Sequence, residues 1–268
     1  MAGHKSTVNA LNSYTDSTGS AFGNAKFETV FEMARRIYNS KIGIVSTAYL
    51  ADATPAAVVT HTSQRSQYAY IIRQFLNGLT SEFPWTRWDG PDVRKSYSRS
   101  YTHPQQVQLD AQADGPLRSA VFGGGGSDFI PNSKNNKTSF IDGFVDKGYQ
   151  FTTTNASLEQ LDDNKRALGL FAASNLPTWL DRHVFTDNLK TFGAWNATAK
   201  NFTGPVVDTP GLKEMTIKAV NILQKRSQAD NTNFLLMSEA ASIDKAMHIG
   251  DYQSTRVYTG LYERSGGL

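Results

Sequence analysis

Lys41-Ile42-Gly43-Ile44-Val45-Ser46-Thr47-Ala48 is a short run rich in β-branched residues, the signature of a buried strand. Before it, residues 26–38 predict an amphipathic helix. Phe27, Val30, Phe31, Ala34, Ile37 and Tyr38 recur there at three- and four-residue spacings, with Glu28, Glu32, Arg35 and Arg36 between them. The alternation repeats later in the chain. Residues 138–147 read as helix, 149–153 as strand, 157–164 as helix and 167–171 as strand. A third round begins at Thr209, expected as an N-cap with Pro210 at the first helical position. Leu212, Met215, Ala219, Ile222 and Leu223 then supply one buried face, and residues 233–237 form an apolar strand. Strands alternating with helices predict an α/β fold: a three-layer α/β/α sandwich around a largely parallel sheet, in one domain over residues 1–268. Two stretches show no period. Residues 94–121 are polar and are expected as a surface excursion with little packing, and the tail from about 253 is equally featureless.

Composition removes several alternatives. The chain of 268 residues is 39% hydrophobic and 19% charged, which is ordinary globular composition. Its net charge is only +3 and its Lys and Arg are spread along the sequence, so no nucleic-acid-binding module is read. No apolar run approaches the roughly twenty residues of a membrane span. Cysteine is absent, so disulfides, thiolate catalysis and cysteine-ligated zinc are excluded. Glycosylation sequons begin at Asn136, Asn155, Asn196 and Asn201, which favours a secretory product, extracellular or in a vacuolar lumen.

In an open parallel sheet, ligands collect beyond the carboxyl ends of the strands. Two segments stand at such positions: Asp52-Ala53-Thr54-Pro55-Ala56-Ala57, with Arg65 on the helical stretch beyond it, and the run from Glu239 to His248. Each residue has a plain structural explanation. Thr54 before a proline makes a good helix N-cap, and Arg65 reads as a solvated surface charge. Asp244 and His248 lie four residues apart, sharing a helix face that could bind one metal, yet many helices carry that spacing.

Taken together, the segments resemble the alkaline phosphatase family. The D-A-T-P-A-A stretch, the arginine eleven residues after its threonine and the E-x-A-S-I-D-K-x-x-H stretch stand in the family's order. The run GHKSTVNAL from Gly3, the Gly123 to Gly126 turn and the DTPGL segment from Asp208 extend the likeness to most of the chain outside 94–121 and the tail.

The resemblance implies phosphate monoester hydrolysis through a phosphoserine, with two zinc ions and a magnesium. It places Thr54 and Glu239 as magnesium ligands, a hydroxyl and a carboxylate that suit this hard cation. Asp244 and His248 match ligands of one zinc, and Arg65 matches the arginine that grips two phosphate oxygens. Asp52 and Lys245 match positions that pair with each other and tune the surroundings of the metal and the phosphate. Members of the family are commonly homodimers. The departures imply an incomplete domain. The family's nucleophile sits in a D-S-x-x-S stretch before the GHKS-like run, which here begins at once, and further zinc ligands have no counterpart; His61, His103 and His183 do not stand in their places. His4, Ser6 and Ser13 match the segment after the nucleophile and are not a substitute for it. A non-catalytic secreted glycoprotein or interaction protein of phosphatase descent is the alternative expectation.

Overall fold

The computed structural model describes residues 1–13, 26–78, 118–135 and 137–251. Five parallel strands form the central sheet: β1 (Lys41–Tyr49), β2 (Arg118–Gly124), β3 (Tyr149–Thr152), β4 (Arg166–Leu170) and β7 (Phe234–Glu239), in the order β3-β4-β2-β1-β7. A separate two-stranded antiparallel ladder, β5 (Trp195–Asn196) and β6 (Asn201–Phe202), lies outside it. The predicted α/β sandwich is what the chain forms.

Side-chain alternation divides the core between the two faces. On one face Ile42, Ile44, Val121, Leu168 and Leu170 pack against α1 (Val30–Tyr38), α3 (Tyr68–Asn77) and α5 (Phe140–Asp146) through Phe31, Ile71, Phe75, Phe140 and Phe144. On the other, Val45, Ala120, Phe122 and Ala167 meet Met215, Ala219 and Ile222 of α8 (Leu212–Ala229) and Leu158 of α6 (Asn155–Glu159). Gly43 of β1 leaves room on that second face, where a Cβ would stand 2.6 Å from a Leu223 methyl.

Several local expectations shift. The helix expected over 157–164 is α6 at Asn155–Glu159, started by Thr154 and Ser157 in a capping box, after which the chain turns. The third round starts at Gly211 rather than Thr209: the Glu214 carboxylate accepts the Gly211 N–H at 2.8 Å, so Pro210 lies outside the helix. Gly123 and Gly124 belong to β2 rather than to a turn, and only Gly125, with φ of +83°, takes the left-handed conformation that starts α4 (Gly126–Phe129).

The expected unpacked excursion fails over its last residues. Residues 118–121 are buried in β2, the middle strand of the sheet, and Arg118 is fully enclosed. Its guanidinium donates to the carbonyls of Gln74, at 2.7 Å, and Phe75, in the last turn of α3. A helix C-terminus leaves carbonyls unpaired and carries partial negative charge, so it accepts a cation that hydrophobic periodicity cannot anticipate. Residues 94–117 and the tail from 253 lie outside the described residues.

Candidate active site at the carboxyl end of the sheet

The two chemistry-bearing segments leave neighbouring strands. β1 pairs with β7 in parallel, with Ser46 opposite Glu239. The chain leaves β1 through α2 (Ala53–Ala56), and it leaves β7 through α9 (Ala241–His248). The connection from β1 leads to β2 on one side while β7 lies on the other, which opens a crevice of the kind that receives ligands.

Asp52 is the N-cap of α2, its Oδ1 accepting the Ala53 N–H at 2.8 Å. Capping therefore does not fall to Thr54. Thr54 lies within the short helix, exposed, and its hydroxyl has no hydrogen-bond partner among the described residues. The other carboxylate oxygen of Asp52 accepts from Lys245 Nζ at 2.6 Å, joining the segments across the crevice. Burial alone would raise the pKa of Asp52. The Lys245 hydrogen bond and charge, the Ala53 amide and the charge of Arg65 outweigh it and hold the carboxyl below the usual aspartate range. Burial works against the Lys245 charge as well, and Asp52, Asp244 and Glu239 overcome it and push its pKa up.

Glu239 is the last residue of β7, half-buried, and its Oε2 accepts the Ser46 hydroxyl proton at 2.6 Å. Ser46 Oγ in turn accepts the Ala48 N–H at 3.0 Å, so both sides of this hydroxyl are committed. Glu239 is thereby held in one orientation with Oε1 left open. The start of α9 is tied to β1 in the same way, Ser242 N–H and Oγ reaching Thr47 Oγ1 at 3.2 and 3.3 Å. Sequence reading missed Ser46 and Thr47. Their signal was two hydroxyls closing an otherwise apolar strand.

Asp244 and His248 stand one turn apart on α9, both exposed, with Oδ1 and Nε2 3.5 Å from each other. A tetrahedral zinc with bonds of about 2.0–2.2 Å holds neighbouring donors about 3.4 Å apart, so an oxygen and a nitrogen at this separation fit one zinc. Glu239 offers an open carboxylate oxygen and Thr54 an unengaged hydroxyl, the donor types that a hard cation takes. Among the described residues, no group of three or more His, Asp or Glu gathers at one point. Arg65 is exposed in the turn before α3 rather than on a helix, and its backbone N–H donates to Asn9 O at 2.7 Å. Tyr49 and Tyr68 stack at 6.1 Å beside it, and burial together with the charges of Asp52 and Asp128 pushes both phenols up. His61 is fully buried between Glu32 and the Asn12 carbonyl, and His183 stacks on Trp179, so neither joins the site. His103 lies outside the described residues. His4 stacks on Phe27, and Ser6 Oγ donates to Ala10 O.

The alkaline phosphatase family model matches residues 2–82 and 94–257. The chain belongs to the alkaline phosphatase family. Among curated relatives, the alkaline phosphatases of Escherichia coli and Escherichia fergusonii are 32% and 31% identical over 228 and 227 residues. Each match takes in 82% of this chain and 43% of the relative, so the chain spans less than half the length of these proteins. Among solved structures, the Thermus thermophilus alkaline phosphatase superposes with a TM-score of 0.61 at 21% identity, covering 96% of this chain and 43% of that one. A magnesium-bound mutant of the TAB5 alkaline phosphatase gives 0.55 at 16% identity, covering 96% and 56%. These two share the fold. The alkaline phosphatase match includes residues 94–121 and continues to 257, across both stretches that lacked a period.

Proposed function

We propose that this chain contributes part of a phosphomonoesterase site, built where the segments after β1 and β7 meet. The observation that carries this is the Lys245–Asp52 pair at 2.6 Å, which joins segments 193 residues apart. Thr54 and Glu239 would hold magnesium, and Asp244 and His248 would hold one zinc. Bound there, such cations supply charge neutralisation to a phosphoryl group and its leaving oxygen. Arg65 binds two phosphate oxygens through its planar fork, which a lysine cannot imitate. The Asp52–Lys245 pair keeps both groups charged, and Lys245 adds positive charge at the mouth of the site. Ser46 fixes the Glu239 carboxylate so that it need not reorganise when it takes a ligand. The run Asp16-Ser17-Thr18-Gly19-Ser20 has the D-S-x-x-S form but follows the GHKS-like run that the family's nucleophile stretch precedes, so the nucleophile and the remaining metal ligands are assigned to sequence outside this chain. Substrates are phosphate monoesters, and the four sequons favour a secretory setting.

Turnover of p-nitrophenyl phosphate with added zinc and magnesium tests the proposal on two forms, this chain and a form extended at both ends to the length of its relatives. The extended form should be active, and Arg65→Ala or Asp244→Ala should lower its kcat/KM by about tenfold or more, the scale of a lost charge-assisted contact. The chain alone should be silent. An inactive extended form favours the non-catalytic glycoprotein alternative. EDTA-sensitive turnover by the chain alone, abolished by both substitutions, would overturn the placing of the nucleophile outside it.

A further inference from the structure

Cations that lie far apart in the sequence converge at the other end of the sheet. Arg118, Tyr149 and Arg166 open β2, β3 and β4, Arg35 and Arg226 sit in the last turns of α1 and α8, and Lys147 closes α5. In a parallel sheet, strand starts and the ends of the helices that feed them share one edge, which brings all five cations to the amino-terminal side.

Hydrogen bonds tie Arg118, Lys147, Arg166 and Arg226 into neighbouring positions, and Arg35 lies within electrostatic reach of Arg166 and Tyr149. Tyr149 pairs with Arg166 across β3 and β4, and its hydroxyl donates to Arg118 O at 2.6 Å. Arg166 donates to Lys147 O at 3.2 Å, while Arg226 donates to Asn164 O at 2.8 Å and Ser119 Oγ at 3.2 Å. Lys147 Nζ reaches Leu76 O and Asn77 Oδ1. Every one of these acceptors is a neutral oxygen. Complementing helix C-termini accounts for part of this gathering, but not for its charge balance. Asp230, the nearby carboxylate, is taken by Lys41, and Glu32, which also faces Arg118, is bonded to His61. No carboxylate among the described residues forms a salt bridge with Arg35, Arg118, Lys147, Arg166 or Arg226. Arg118 Nε is buried without a partner. Burial, and then the neighbouring arginines, make Arg35, Lys147 and Arg226 easier to deprotonate than usual, as in a cluster that lacks its anion.

We propose that Arg35, Lys147, Arg166 and Arg226 form an anion site for a tetrahedral oxyanion, phosphate or sulfate, on the face opposite the candidate active site. The half-buried guanidinium groups provide forked donors suited to such an ion, and Arg118 supplies a fixed charge behind them.

Calorimetric titration of the purified chain with sodium sulfate, against sodium chloride at matched ionic strength, tests this. Tripolyphosphate in a parallel arm separates a single free oxyanion from a chain of them. A saturable sulfate site is expected, weakened about tenfold by Arg166→Gln or Arg35→Gln and unchanged by Lys190→Ala on the exposed surface. Arginine Nε–H resonances of the unmutated chain give a readout that no folding defect confounds, and those of Arg35, Arg166 and Arg226 should shift together on saturation. A response that chloride reproduces, shifts at Arg65 alone, or saturation by tripolyphosphate without any sulfate site would each overturn the proposal.

Discussion

Ser46 has a single hydroxyl proton, and Glu239 takes it at 2.6 Å. Such positioning contacts commonly change metal affinity by about 10–100-fold, so Ser46→Ala should weaken a divalent site at Glu239 by at least about tenfold while Ser46→Thr preserves it. Manganese titration of both variants checks this. The Asp52–Lys245 pair is only partly shielded, with 39% of the lysine side chain exposed. A double-mutant cycle of Asp52→Asn and Lys245→Met should therefore return a stability coupling below about 1 kcal/mol. The buried counterpart is Glu32 with His61. Burial would raise the Glu32 pKa, and the charge and hydrogen bond of His61, with the bonds from Thr29, reverse this and hold it below the ordinary 4.5. A depressed carboxyl binds its proton more tightly in the unfolded chain. Its stabilisation is complete above 4.5 and fades as pH falls through the lower folded value. Urea unfolding from neutral to acidic pH should show this loss, and Glu32→Gln should flatten it at a cost of about 3–5 kcal/mol.

At the scale of elements, Gly125 makes the sharpest demand, since its left-handed φ coincides with a Cβ position 3.2 Å from Tyr49 Cα. Gly125→Ala should destabilise the chain by about 1–3 kcal/mol through strain and displacement of Tyr49, read from its unfolding midpoint. β1 and α8 were legible because burial on a face imposes a period, and the period is written in Ile42, Ile44, Met215, Ala219 and Ile222. β2 was not. It opens with Arg118 and Ser119, and what buries them is the carbonyl-rich end of α3, a tertiary partner with no trace in local pattern. The N-cap of α8 was misplaced for a related reason: Thr209-Pro210 has the composition of a helix start, and the Glu214 side chain selects Gly211 instead. In the candidate site the motif residues were legible through their order along the chain. Ser46 and Thr47 depend on which strand lies beside β1, and that only the pairing with β7 reveals.

Across the whole molecule, the parallel sheet separates two kinds of chemistry. The segments that leave the carboxyl ends of β1 and β7 carry Asp52 and Thr54 on one side and Glu239, Asp244 and His248 on the other, and the Asp52–Lys245 pair joins them. The opposite edge gathers Arg35, Arg118, Lys147, Arg166 and Arg226, while its carboxylates Asp230 and Glu32 are paired with Lys41 and His61. The central claim is that the segments after β1 and β7 make one divalent-metal site, sharing Thr54 and Glu239. Manganese(II), a paramagnetic stand-in for magnesium, tests it most directly by electron paramagnetic resonance on the purified chain and on Thr54→Val and Glu239→Gln. The account predicts one weak manganese site, displaced by magnesium and lost by more than about tenfold in both variants. The absence of any saturable site, or a site that survives either substitution, would contradict it.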